Sequence, residues 1–365
     1  MLRSRYARIA LFGAAVVLVQ GATHLGGKAF FLTQLTMSGY YTLVAVGLSV
    51  LMGYAGQISL GHAAFFAIGG YASGWLTTAD PAPLRGRGLV ALLDRAGLLV
   101  ERTDLYGGES LAVHPWAAFA VAIALSLAVA WAIGVPVLKL KGHYLAMATL
   151  GFGTIVYSVV LGTAQFGAAD GLSSVPPFPL AAGLSVSGAR ADRVSNYYVA
   201  WGLVALALLL LVNLVESRIG RALRAIHGAE DAAGSMGVDV ARFKLKTFVL
   251  SAVLAAVGGS FLTHYSGGIG PGEAAVMKSV RYVAIVAVGG MGSLWGTVAT
   301  SLALNFLSLR GYFGTYDDAV FGVVLLVVML FSPDGVLRMD VRGWVLALVA
   351  RLRRTAASAK PGEPA

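Results

Sequence analysis

No cysteine occurs among the 365 residues, which excludes disulfides, thiolate metal sites and cysteine nucleophiles. Charge is the second scarcity. Asp, Glu, Lys and Arg together make up 12% of the chain, against the ~25% of an ordinary water-soluble domain. The AVILMFWYC set reaches 58% and mean hydropathy is +0.78, so most of the surface faces something other than water. A phosphate-binding loop of the form Gly-x-x-x-x-Gly-Lys-Ser/Thr is missing. Gly26-Gly27-Lys28-Ala29 fails on spacing and lacks the hydroxyl. No His-Glu-x-x-His and no paired acidic motif falls in an apolar segment, so a metalloprotease or a carboxylate proton relay has no candidate residues. The histidines His24, His62, His114, His143, His227 and His264 each lie near the end of an apolar run or in a loop, where interfacial or packing roles are expected. No enzyme emerges.

What is present is length without charge. Between Lys28 and Asp80 lie 51 residues whose only titratable side chains are tyrosines and His62. At ~1.5 Å per residue this exceeds a ~30 Å hydrocarbon core severalfold when helical, so the segment crosses twice. The expected class is an all-α integral membrane protein with about ten transmembrane helices. They are placed near 8–25, 32–53, 58–78, 116–137, 143–162, 197–215, 246–265, 274–290, 293–309 and 319–337. The pair 274–309 could instead be one helix or a re-entrant hairpin, which leaves eight to ten. The basic N-terminus (Arg3, Arg5, Arg8) resembles a signal peptide, but the apolar run continues toward Leu25 without a small-residue cleavage site, and a retained helix is expected. With the N-terminus inside, 17 of the 27 Lys and Arg and 7 of the 17 acidic residues fall on the inner face, so the whole net charge of +10 sits there. That asymmetry favours N-in, C-in. It also makes the basic surplus a topology signal with attraction to anionic membrane lipid, not a nucleic-acid footprint. The chain reads as one transmembrane domain over 1–365, with an outer loop at 79–115, an inner polar loop at 216–245 and a basic inner tail at 338–365.

Three segments are not generic membrane helix. In Gly53–Tyr71, glycines punctuate two apolar runs, and Gln57, Ser59 and His62 cluster just after the break. Broken membrane helices persist where the freed backbone lines a cavity or is buried in protein; small-residue packing is the alternative. Leu138–Gly153 pairs two snorkelling lysines with a Thr/Gly-rich helix entry containing Tyr144 and Thr149. Ser217–Val238 is the polar island of the inner face. There Ala222, Leu223, Ile226 and Ala229 share one helical side, Arg221, Arg224 and His227 share another, and a second short helix over 230–236 ends at Gly237. Spacing leaves two readings open: a helix fitted to a groove in another protein, or one lying on lipid.

Asp231-Ala-Ala-x-x-x-Gly237 resembles the Glu-Ala-Ala-x-x-x-Gly core of the coupling loop in bacterial ABC importer permeases, with Asp in place of Glu. Gly220–Ile226, Ser59–Tyr71, Gly142–Gly153, Val288–Gly296 and Phe331–Leu337 resemble the branched-chain amino acid permeases of the LivM type, and run in that family's order. The outer loop at 79–115 is longer than the family's, and Val336 stands where Leu is usual. The resemblance implies a type II importer-like bundle in the bacterial inner membrane. Its partners would be a LivH-type permease subunit, two cytoplasmic ATPase subunits that hold ATP and Mg, and a periplasmic substrate-binding protein. The chain itself would carry no cofactor or metal. It further implies a substrate path beside Gln57, Ser59, His62, Tyr144 and Thr149. ATPase coupling would fall to Gly220, Arg221, Ala222, Arg224, Glu230, Asp231, Ala232 and Gly237. Leucine, isoleucine or valine is the implied cargo, with urea or a short amide as the alternative within the family. An ion-coupled secondary transporter would be the rival of another class, but Lys278 and Arg281, its only candidates, are expected near the outer end of the eighth span.

Overall fold

The computed structural model describes residues 2–79, 99–103, 109–140, 142–181 and 183–331. Residues 80–98 of the outer loop, the tail 338–365 and the 332–337 part of the last motif lie outside the described residues. Twelve α-helices occur among those described. The chain opens with α1 (Leu2–Leu25), α2 (Phe31–Gly53) and α3 (His62–Thr78). Next come α4 (Pro115–Val137), α5 (His143–Gly162), α6 (Arg193–Glu216) and two short helices, α7 (Arg218–Gly228) and α8 (Glu230–Ser235). The last four are α9 (Val240–Ser266), α10 (Val276–Gly289), α11 (Leu294–Leu309) and α12 (Asp317–Phe331). The all-α expectation needs one amendment, because both long loops carry a small antiparallel hairpin. β1 (Leu99–Thr103) pairs with β2 (Glu109–Val113), Leu99 opposite Val113, and β3 (Phe178–Ala181) pairs through a bulge with β4 (Leu184–Val186).

Six helices, α1, α2, α4, α5, α6 and α9, are long and apolar enough to cross a membrane. The other apolar helices are shorter: α3 has 17 residues, α10 has 14, α11 has 16 and α12 has 15. At ~1.5 Å per residue, α10 reaches only about two thirds of a hydrocarbon core. The 274–309 segment resolves into two helices. Tyr54 Oη donates to the Gly292 carbonyl at 2.8 Å and Ser49 Oγ to that of Met291 at 3.3 Å, which fixes the turn between them against the end of α2.

α2, α3 and α9 form the centre. The most apolar window of α2 is 94% buried, that of α1 not at all, so α1 packs on the rim. Apolar surface gains little by leaving lipid for protein, so membrane helices associate through close packing of small residues. Here a Cβ on Gly69 would collide with the Ala256 carbonyl, and one on Gly259 with that of Phe66. α4 starts where its sequence dictates: Pro115 occupies the first turn and His114 Nδ1 accepts the Trp116 N–H at 3.3 Å.

The boundary of α3 departs from expectation. The helix begins at His62 instead of residue 58, and residues 54–61 run without helical structure. Gly56 has φ +67°, and a Cβ on Gly61 would stand 2.7 Å from the Thr149 carbonyl. The Leu60 N–H, which a helix would have used, is taken by Thr149 Oγ1 at 3.0 Å. The chain therefore returns from the end of α2 into the bundle before α3 starts.

Candidate functional site: a buried polar break and an exposed helical platform

The break delivers polar side chains to the interior. Gln57, Ser59, His62 and Thr149 are all buried. His62 bridges two helices, with Nδ1 3.0 Å from Ser59 Oγ and Nε2 2.7 Å from Ser251 Oγ on α9. Thr149 Oγ1 accepts from Leu60 and donates to the Ala146 carbonyl at 2.9 Å. Ser279 Oγ on α10 accepts the Ala63 N–H at 3.1 Å, closing the seam from the far side. The Gln57 side chain has no hydrogen-bond partner among the described residues, although both its polar atoms are buried. Such a group costs roughly 1–3 kcal/mol unless something pairs with it. Tyr144 does not join the group. It is 62% exposed, with its ring against His143. Five helical residues separate it from Thr149, which turns the two about 140° apart.

Two histidines depart from the expectation of interfacial roles. His62 lies deep because α3 starts inside the bundle. His264 is buried between Ser73 Oγ at 2.7 Å and the Pro176 carbonyl at 2.8 Å, tying α9 to α3 and to the second long loop.

The 217–237 segment folds as anticipated into two short helices, but its faces are distributed differently. Ser217 Oγ caps α7 by accepting the Ile219 N–H at 3.1 Å. Leu223, Ile226 and Gly220 are buried against the chain itself, and a Cβ on Gly220 would collide with the Val215 carbonyl. Gly220 is thus a packing residue. Glu230 is likewise no free rim charge, since it pairs with the buried Lys244 of α9. Ala222 is half-buried. Arg221, Arg224, Asp231, Ala232 and Gly237 are exposed, as are Ala225 and Ala229. Met236, 85% exposed, stands out from this small-residue surface. Gly237 has φ +83°, and the Val238 N–H donates to Ala233 at 3.1 Å while the Gly237 N–H donates to Gly234 at 3.0 Å. This pair of bonds is the Schellman closure that a left-handed glycine permits. The platform also touches the break: a Cβ on Gly56 would stand 2.9 Å from His227 Nδ1.

Residues 30–332 match the family described as branched-chain amino acid transport system / permease component. The chain belongs to this family. It is 30% identical over 325 residues to the high-affinity branched-chain amino acid transport system permease protein LivM of Salmonella typhimurium, covering 83% of this chain and 69% of that protein. LivM of Escherichia coli is 29% identical over the same shares, and LivH of Escherichia coli 28% identical over 84% of this chain and 96% of LivH. No solved structure matches.

The permease holds functional-looking residues that sequence reading passed over. Ser251 and Ser279 lie in largely apolar helices, where a serine reads as packing; only the fold reveals that both point at the α3 entry. Lys278 and Arg281, expected near a helix end, lie in the first two turns of α10. Lys278 Nζ lies 2.9 Å from Glu273 Oε1, and the Tyr41 hydroxyl donates to the same oxygen at 3.0 Å. Tyr41 is the eleventh of 23 residues of α2, so this ion pair sits beside the middle of a full-length span. Arg281 is held by Asp317 and Asp318 at the start of α12.

Proposed function

We propose that this chain is one transmembrane subunit of an ATP-driven importer of branched-chain amino acids in the bacterial inner membrane. It crosses ten times with both termini in the cytoplasm and forms a heterodimer with a LivH-type permease. One of two ATPase subunits docks on the cytoplasmic 216–245 loop, and a periplasmic binding protein delivers cargo from the other side, where the 79–115 loop lies. The observation that carries this reading is the exposed platform α7–α8, whose His227 abuts the break at Gly56. A small-residue surface with charges around it suits a groove in a nucleotide-binding subunit. A rigid contact with the break gives movement there a route to Ser59, His62 and Thr149. Those side chains offer hydrogen-bonding groups within an otherwise apolar path, which suits a zwitterion with an apolar side chain.

Gly237→Val and Asp231→Arg test the coupling role. Valine strains a left-handed position, and arginine reverses a charge on the exposed platform. Both variants should insert normally yet lose ATPase co-purification or uncouple hydrolysis from uptake. Wild-type association together with wild-type transport per ATP in both would reduce the platform to a connector.

A further inference from the structure

We propose that Glu273 and Lys278 form a recognition site for the α-ammonium and α-carboxylate of an amino-acid zwitterion. The proposal rests on the transport reading and adds residues that reading does not use. The Lys278 ammonium sits 2.9 Å from Glu273 Oε1 and 4.9 Å from the centroid of the Tyr41 ring. A carboxylate on one side and an aromatic face on the other make an ammonium site. In the unliganded protein the lysine occupies it.

The spare valences are in place for an exchange. Glu273 Oε2 and Tyr282 Oη are both buried and have no hydrogen-bond partner among the described residues, and the Tyr282 side chain is 2% exposed. Tyr282 lines a crevice of about 20 Å³ with Tyr41, Lys278, Arg281, Asn305 and Ser308. Arg281 is committed to Asp317 and Asp318, so Lys278 is the cation free to change partner. A cargo ammonium takes the lysine's place against Tyr41 and Glu273, with Oε2 as a further acceptor. Lys278 then meets the cargo carboxylate, and Tyr282 Oη donates to it. One ion pair becomes two, and no charge is left bare in a low-dielectric interior. A solute carrying only one of the two charges would leave Glu273 or Lys278 uncompensated, which is how a site built for polar groups rejects analogues that lack them. The crevice has space for about one small polar group, the carboxylate beside Lys278 and Tyr282, while the ammonium takes the room that the lysine vacates against Glu273. It reads the head group and leaves the side chain outside, so leucine, isoleucine and valine are accepted alike.

The test uses the complete transport complex in liposomes. Asn305→Cys places a reporter thiol in the crevice of a chain that has no cysteine of its own. Without ATP, L-leucine should slow its modification by a small methanethiosulfonate reagent. Leucinamide and 4-methylpentanoate, each with one charge, should not. Glu273→Gln and Lys278→Gln should each abolish that protection and cut leucine uptake by about tenfold or more, while ATP hydrolysis stimulated by the binding protein persists; Lys278→Arg should keep most of the protection. The site is refuted by leucine that gives no protection, by half-analogues that protect as well, by a thiol the reagent never reaches, or by wild-type uptake in Glu273→Gln. Absence of leucine uptake by the unmutated complex strikes the transport reading instead, and the protection measured without ATP still decides the site.

Discussion

At the scale of single residues, the polar seam works because each buried hydroxyl has an assigned partner. Ser59→Ala removes a partner of His62 Nδ1, and Thr149→Val removes the acceptor of the Leu60 N–H. Each leaves a buried polar group unpaired, at about 1–3 kcal/mol. Both variants should lower the unfolding temperature of the purified complex and reduce uptake, whereas Tyr144→Ala, at an exposed position, should do neither. Equal effects from all three would remove the seam from the path. Gln57, Ser59, His62 and Thr149 were legible in the sequence because polar residues beside a glycine-broken helix are uncommon in an apolar chain. Tyr144 shares a motif with Thr149 but turns away from the buried group, because a motif carries no information about which way each member turns. Ser251, Glu273 and Lys278 were not legible as a site. Their partners His62 and Tyr41 lie some two hundred residues away, and only the packing of α2, α3, α9 and α10 joins them.

At the scale of elements, α7 and α8 show how an amphipathic pattern can be read correctly and its direction left open. Spacing left the apolar side of α7 open between a partner's groove and lipid, and in the fold Leu223 and Ile226 of that side anchor the helix to its own bundle. A short helix beside a membrane domain needs that anchorage, since isolated helices of this length are unstable in water. The surface left for a partner is therefore the small-residue side with Met236. Glu230 belongs to the anchorage as well. Glu230→Ala strands the buried Lys244 ammonium and should destabilise the complex more than Arg221→Ala, which trims an exposed charge worth ~1 kcal/mol or less. Thermal unfolding of the two variants in parallel decides this, and equal stability would mean that the Glu230–Lys244 pair carries no structural weight.

At the scale of the whole molecule, the ten apolar helices α1–α6 and α9–α12 correspond to the ten segments anticipated from hydropathy. Six of them have the length of a span, and α3, α10 and α11 fall short. Long apolar runs announce themselves in composition; helices that start inside a bundle do not, because their first residues are stabilised by neighbours distant in sequence. The proposed orientation follows from the basic inner face, and two exposed alanines report on it. Ala189→Cys should react with a membrane-impermeant thiol reagent in whole cells, and Ala241→Cys should react only after lysis. The reverse pattern would invert the topology.

The central claim, that this chain carries branched-chain amino acids inward at the expense of ATP hydrolysed by its partners, is tested most directly by reconstitution. The chain, a LivH-type subunit, the two ATPase subunits and the binding protein are assembled in liposomes, and entry of labelled leucine is followed with and without ATP. Uptake should require ATP, the binding protein and both permease subunits, and should fail in Asp231→Arg liposomes that contain the same amount of inserted chain. Leucine entry that proceeds without ATP, or none under any combination of subunits, would contradict it.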